Sequence, residues 1–154
     1  MELSSILQPP AVKVVNTLSS KKRLFQELGD IANGVYDLPQ ERVVEALMER
    51  ESLGPTGVGQ GIALPHARLK GLSDVVGIFL RVERPLEFNS VDRQPVDLVF
   101  ALFAPAESGV DHLRALALVS RTLRDPDVCA KLRANSDPAT LHAVLTELPA
   151  SEAA

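Results

Sequence analysis

Gly54-Pro55-Thr56-Gly57-Val58-Gly59-Gln60-Gly61 runs through Ile62-Ala63-Leu64 into Pro65-His66, and in this stretch residue types and spacing allow chemistry. A neutral imidazole nitrogen is a competent nucleophile near neutral pH. Glycines let the backbone turn sharply and approach another molecule closely. Pro65 fixes one dihedral, removes a donor and pushes Leu64 to an extended conformation. The expected result is a short strand presenting His66 rigidly at its end. Two familiar glycine motifs fail on spacing. A P-loop needs Lys and then Ser or Thr after its last glycine, but Gly59 is followed by Gln60. A dinucleotide fingerprint begun at Gly57 needs glycine at position 62, which is Ile62. A lone histidine is more often structural than reactive, so on pattern alone both readings of His66 stay open.

The surrounding elements must position that ring. Residues 1–10, ending in Pro9-Pro10, read as a loose lead-in, and Ala11 to Asn16 as a short edge strand. Ser19 or Ser20 can cap a helix to about Ile31, ended by Gly34. Asp37 can cap a second helix, with Pro39 in its first turn, running to about Glu51 and burying Val43, Val44, Leu47 and Met48. Asp74 to Val82 and Val96 to Phe103 read as strands, the second apolar enough to be covered on both faces. A helix capped by Ser108 or Asp111 should reach about Leu123, with Leu113, Leu116, Val119 and Leu123 on its inner face. Two short helices follow, at 126–132 and 138–148, and the tail from Pro149 should fray. These patterns predict one α/β domain over residues 1–154, with an ordered core of about 5–148. Its sheet should be mixed, mostly parallel and about five strands wide, with helices on both faces.

Composition narrows the function classes. A chain of 154 residues allows one real core, and with aromatics at only 4% that core must be aliphatic. A net charge of −4 with scattered cations argues against broad nucleic-acid binding. One cysteine, Cys129, excludes an internal disulfide and a four-cysteine zinc site. No signal peptide and no apolar run of about 20 residues is present, so a cytoplasmic location is expected.

Glu51 through Ala67, ESLGPTGVGQGIALPHA, resembles the phosphorylation-site signature of the fructose- and mannitol-type enzyme IIA domains of the bacterial phosphotransferase system. That signature has an acidic or amide residue, six positions, an apolar residue and glycine. Two positions later come apolar-Ala-apolar-Pro-His and a small residue. Glu51, Val58, Gly59, Ile62, Ala63, Leu64, Pro65, His66 and Ala67 fill every specified place. The resemblance extends to about Leu148, and VDRQPVDLVFALFAPAESGVDHLRALALVS is most similar to the nitrogen-regulatory branch. The resemblance implies that His66 accepts a phosphoryl group, with Arg50 and His112 beside it. It implies an HPr-type phosphohistidine protein as donor, and regulatory protein targets or an enzyme IIB downstream. The nitrogen-regulatory proteins often read His-Leu-His where this chain has His112-Leu113-Arg114, which leaves Arg114 as an extra candidate contact for phosphate or partner.

On chemistry, Arg50 suits phosphate oxygens because its guanidinium fork stays charged and donates in pairs. His112, near a helix start, can donate to a phosphate oxygen. Thr56 and Gly59 are candidates for supporting the phosphate site, Thr56 through its hydroxyl, although a plain turn role is the safer reading of its position. No cofactor is implied. A metal held by His66 and His112 lacks a third obvious ligand. His142 reads as solvated surface, Cys129 as a small core residue, and Arg121, Arg124, Lys131 and Arg133 as a solvated face. The acidic pairs Asp92/Asp97 and Glu49/Glu51 carry no defensible catalytic context. Three functions compete: a regulatory histidine phosphocarrier, a sugar-transport enzyme IIA, and a binding module in which the His66 loop docks a protein and no phosphate moves.

Overall fold

The structure is a computed structural model that describes residues 1–153. Its elements in chain order are α1 (Leu3–Ile6), β1 (Leu7–Val15), α2 (Lys21–Tyr36), α3 (Gln40–Ser52), β2 (Gly57–Gly59), β3 (Ile62–Ala63) and β4 (His66–Leu69). There follow β5 (Val76–Leu86), β6 (Val96–Pro105), α4 (Val110–Leu123), α5 (Pro126–Ala134) and α6 (Pro138–Ala153). One mixed sheet has the order β1-β5-β6-β3-β2, with β4 also paired to β6. The pairings β1·β5, β3·β6 and β4·β6 are parallel; β5·β6 and β2·β3 are antiparallel. This is the expected mixed α/β sheet, with six strands because the glycine stretch itself contributes the short β2 and β3.

β6 forms the centre of the core. Leu98, Val99, Phe100, Ala101, Leu102, Phe103 and Ala104 are all buried. Successive residues of a strand point to opposite faces, so helices must cover both. α2 packs on β1, β5 and α3, while α4 lies on β6, α6 lies on β1, and α5 joins those two helices. Phe25 of α2 meets Phe88 edge to face at 6.0 Å, and Phe79 lies against Phe100 across β5 and β6. Among the described residues, no helix is long and apolar enough to cross a membrane.

Several expectations need correction. The lead-in is ordered structure: Leu3, Ile6 and Leu7 are buried, and β1 includes Pro9 and Pro10. The prolines are tolerated because β1 is an edge strand and its register shifts between Leu7 and Val12. α2 runs through Gly34 to Tyr36. Asp37 is its C-terminal cap, at φ 58° in the left-handed region, rather than the start of α3. Ser20 caps α2 by accepting from the Arg23 N–H at 3.1 Å, and Pro39 sits at the N-cap of α3. Met48 is 41% exposed. The inner face of α4 holds Val119 and Leu123, with Leu116 packed on the core, as expected, but Leu113 is 65% exposed and His112, Ala115 and Thr122 join that face instead. Gly109 occupies its N-cap without a side-chain cap, and the Ser108 hydroxyl instead donates to the Pro105 carbonyl. α6 continues as helix past Leu148 to Ala153, where fraying was expected; Ala154 lies outside the described residues.

Candidate functional site

β3 and β4 are two pieces of one line beside β6. Ile62 and Ala63 stand opposite Leu98 and Val99, and His66 and Ala67 stand in the same register opposite Leu102 and Phe103. The interruption is Leu64-Pro65. Pro65 has no N–H to give, yet its carbonyl still accepts from the Leu102 N–H at 3.0 Å. The Leu64 carbonyl is turned to the His66 side chain and accepts from ring Nδ1 at 2.8 Å. A carbonyl only accepts, so Nδ1 carries the proton and Nε2 keeps its lone pair. His66 therefore opens β4 within the sheet line instead of hanging past a strand end.

Arg50, in the last turn of α3, donates from Nε to that free Nε2 at 3.3 Å, and its Nη1 donates to the Gly54 carbonyl at 3.0 Å. The imidazole is half-buried. Burial is the largest influence lowering its pKa below the usual histidine value; the Leu64 bond and Glu51 raise it, and the Arg50 charge lowers it. Burial thus favours the neutral ring, the form in which an imidazole can act as a nucleophile.

His112 meets His66 edge to face, with centroids 5.4 Å apart and planes at 81°. It projects inward from the first turn of α4 and is only 7% exposed. Its Nδ1 accepts from the Nε of Arg68 at 3.3 Å, and its Nε2 is buried with no partner among the described residues. Arg68 follows His66 by two positions on β4, so both side chains leave the same face of the sheet. Burial first, then the His66 and Arg68 charges, push the His112 pKa down. No third histidine, cysteine or carboxylate joins this pair into a metal-binding group among the described residues.

Glu51 ties the glycine stretch to α3. Its carboxylate accepts from Lys21 Nζ at 2.9 Å, from the Thr56 N–H at 3.2 Å and from the Thr56 hydroxyl. Lys21 also lies over the Phe88 ring at 4.5 Å. The Thr56 carbonyl accepts from the Leu64 N–H at 2.9 Å, so Glu51 reaches His66 through Thr56 and Leu64. Gly57 fits because a Cβ there would lie 2.2 Å from the Ser90 Oγ.

The structure thus brings together His66, Arg50 and His112. It uses the Thr56 hydroxyl on Glu51. Gly59, at φ 102°, lies against Asp92, whose carboxylate accepts from the Gln60 N–H at 2.9 Å. Arg114 lies two residues beyond His112 on α4, hence around the helix from it, in a loose 3.9 Å pair with Asp111. Sequence reasoning missed Arg68 and the Glu51 network. The second was signalled by the signature's opening carboxylate; the first carried no signal until β4 and α4 were placed together.

Other residues correct the sequence reading. His142 is half-buried and bonds the Leu7 carbonyl through Nε2 at 3.0 Å. Arg133 is no mere solvated cation: it donates twice to Asp97, at 2.9 Å each, and to the Gln60 carbonyl at 2.8 Å, fixing the start of β3. Cys129 is buried as expected, with Sγ bonded to the Leu123 carbonyl.

Residues 5–148 match the family model described as phosphoenolpyruvate-dependent sugar phosphotransferase system, EIIA 2. A nitrogen regulatory protein of Bradyrhizobium diazoefficiens is 43% identical over 153 residues, covering 99% of this chain and 100% of its own. A phosphotransferase system fructose-specific EIIA component of Haloferax volcanii is 34% identical over 96% of this chain and 92% of its own. The crystal structure of the nitrogen regulatory protein IIA-Ntr from Neisseria meningitidis superposes with a TM-score of 0.84 at 34% identity, covering 92% of this chain and 97% of that one. The match over nearly the whole chain, together with these relatives, establishes that the chain belongs to the EIIA type 2 family of the phosphotransferase system.

Proposed function

We propose that the protein is a histidine phosphocarrier whose His66 Nε2 accepts a phosphoryl group from an HPr-type phosphohistidine protein, with a regulatory output of the nitrogen or potassium type through protein partners. The observation that carries this reading is the Nδ1–H bond to the Leu64 carbonyl, which leaves Nε2 bare beside Arg50. In the step, the donor's N–P bond breaks as the His66 Nε2–P bond forms, and the donor imidazole leaves with the electron pair. The proton stays on Nδ1, donated to the Leu64 carbonyl, throughout. Phosphoryl transfer needs in-line positioning and stabilised oxygens more than covalent help. Arg50 turns from the lone pair, which is consumed, to the incoming oxygens, and the buried Nε2–H of His112 donates to another. The added charge, up to about −2, changes which partners the surrounding surface accepts.

The fructose-specific relative favours a second reading, in which the same phosphohistidine passes its group to an enzyme IIB during sugar uptake. Incubation with phosphoenolpyruvate, enzyme I and an HPr-type carrier, followed by intact-mass measurement, tests the common step. One added phosphate is expected on the wild type and none on His66→Ala, whose fold is retained. Labelling of the mutant sinks the site assignment, and absence of label on the wild type leaves protein docking alone. Transfer onward to a IIB protein separates transport from regulation.

A further inference from the structure

We propose that Arg68 is a positioning residue that sets the tautomer of His112, keeping the proton on Nε2 where it can be donated to the phosphoryl group; this rests on the phosphocarrier reading above. Arg68 Nε is a donor only, and it meets His112 Nδ1 at 3.3 Å. That contact requires a lone pair on Nδ1, so it disfavours both the imidazolium and the Nδ1–H tautomer. The neutral ring then carries its proton on Nε2. That atom is buried and has no partner among the described residues. A buried donor left unmet costs about 1–3 kcal/mol. A site that retains one next to its nucleophile is prepared for an acceptor that arrives with the reaction. The ring contact of 5.4 Å between His66 and His112 places the unmet donor beside the ring that would carry the oxygens.

The pairing also follows from topology. The strand period sends His66 and Arg68 to the same face, and α4 lays His112 over both. Each imidazole accepts from one guanidinium, Arg50 on His66 and Arg68 on His112. The two bonds act on opposite ring nitrogens: Arg50 caps the nitrogen that reacts, and Arg68 the nitrogen that does not. Outer partners that orient a metal-bound imidazole commonly change affinity or activity about 10–100-fold when removed, and the same kind of orientation is at work on His112.

The test uses the full chain with 15N-labelled histidine. Long-range proton–nitrogen spectra of the unphosphorylated protein should show His112 as the Nε2–H tautomer. Arg68→Ala should raise its Nδ1–H fraction, and Arg68→Lys, which keeps a cationic donor, should restore the wild-type pattern in part. Arg68 is exposed, so both variants keep the core. Phosphoryl acceptance should slow about tenfold in Arg68→Ala. His112→Gln sets its own reduced baseline, and adding Arg68→Ala to it should cost nothing more. An unchanged His112 tautomer in Arg68→Ala, or an equal slowing in the His112→Gln background, overturns the proposal. If the wild type takes no phosphate at all, the phosphocarrier reading fails, while the spectra still decide whether Arg68 sets the tautomer.

Discussion

Arg50 donates to the one nitrogen of His66 that the backbone leaves unprotonated, at 3.3 Å. In the proposed transfer, the guanidinium that faces the lone pair beforehand takes the incoming oxygens afterwards. Arg50→Gln keeps a neutral donor and removes the charge. Phosphoryl acceptance should fall by about 10²-fold, as when a donor to a developing oxyanion is lost. Arg50→Lys should recover only part of this, because a point charge does not reproduce a planar fork. Rapid-quench transfer kinetics from the phosphorylated carrier would measure both.

Burial and the Arg50 charge together hold the His66 pKa below the ordinary 6.5. Acceptance should therefore stay on its plateau as pH falls through 6.5 and decline only below it. Followed by NMR, the His66 ring should titrate below the free histidine value, and Arg50→Gln should move it upward. The stability consequence has a definite sign. His66 and His112 are both depressed, so below 6.5 the unfolded chain binds more protons than the folded one. Stability should be unaffected by these rings above that pH and should fall as pH drops from 6.5 towards the folded values. Urea titrations at a series of pH values check it; a rise in stability over that window would contradict the assignment of neutral rings.

Glu51→Gln should destabilise the protein by about 1–3 kcal/mol, because Lys21 loses its anion and the Thr56 donors lose a charged acceptor. The carboxylate is only 8% exposed, so water replaces little of this. The effect should extend to function, since Thr56 holds Leu64 and Leu64 orients His66. Denaturant midpoints and the His66 tautomer, read on the same samples, would separate loss of stability from loss of orientation.

Gly57→Ala places a methyl 2.2 Å from the Ser90 Oγ and 3.0 Å from the Ser90 Cα. Overpacking of this kind costs about 1–3 kcal/mol. The expected result is a lowered unfolding midpoint with the far-UV spectrum retained. Ser90→Gly in the same chain should return part of the loss by opening the space.

Part of the candidate site was legible in the sequence, for identifiable reasons. Pro65-His66 after a short apolar segment is a local pattern that singles out the ring, and local patterns survive without coordinates. The role of His66, like the assignments of Arg50 and His112, came through resemblance, because nothing local distinguishes a reactive histidine or a helix-end arginine from a structural or solvated one. The first inward position of α4 was misread for the same reason. A polar residue, His112, occupies the inner stripe there, and the apolar Leu113 took its place in the expected pattern. Pro9-Pro10 concealed the start of β1, since tolerance of proline depends on being at a sheet edge, which is a tertiary fact. Arg68 became meaningful only when β4 and α4 were placed together.

The oxygen that orients the His66 ring belongs to the main chain, at the break between β3 and β4. Many reactive imidazoles lean instead on a carboxylate, whose charge strengthens the ring as a base. An uncharged carbonyl fixes direction while adding less basicity. A less basic nitrogen makes a weaker bond to phosphorus and departs from it more readily. For the proposed phosphocarrier, the strand break at Leu64-Pro65 thus orients the ring with little added basicity, which eases release of the phosphoryl group.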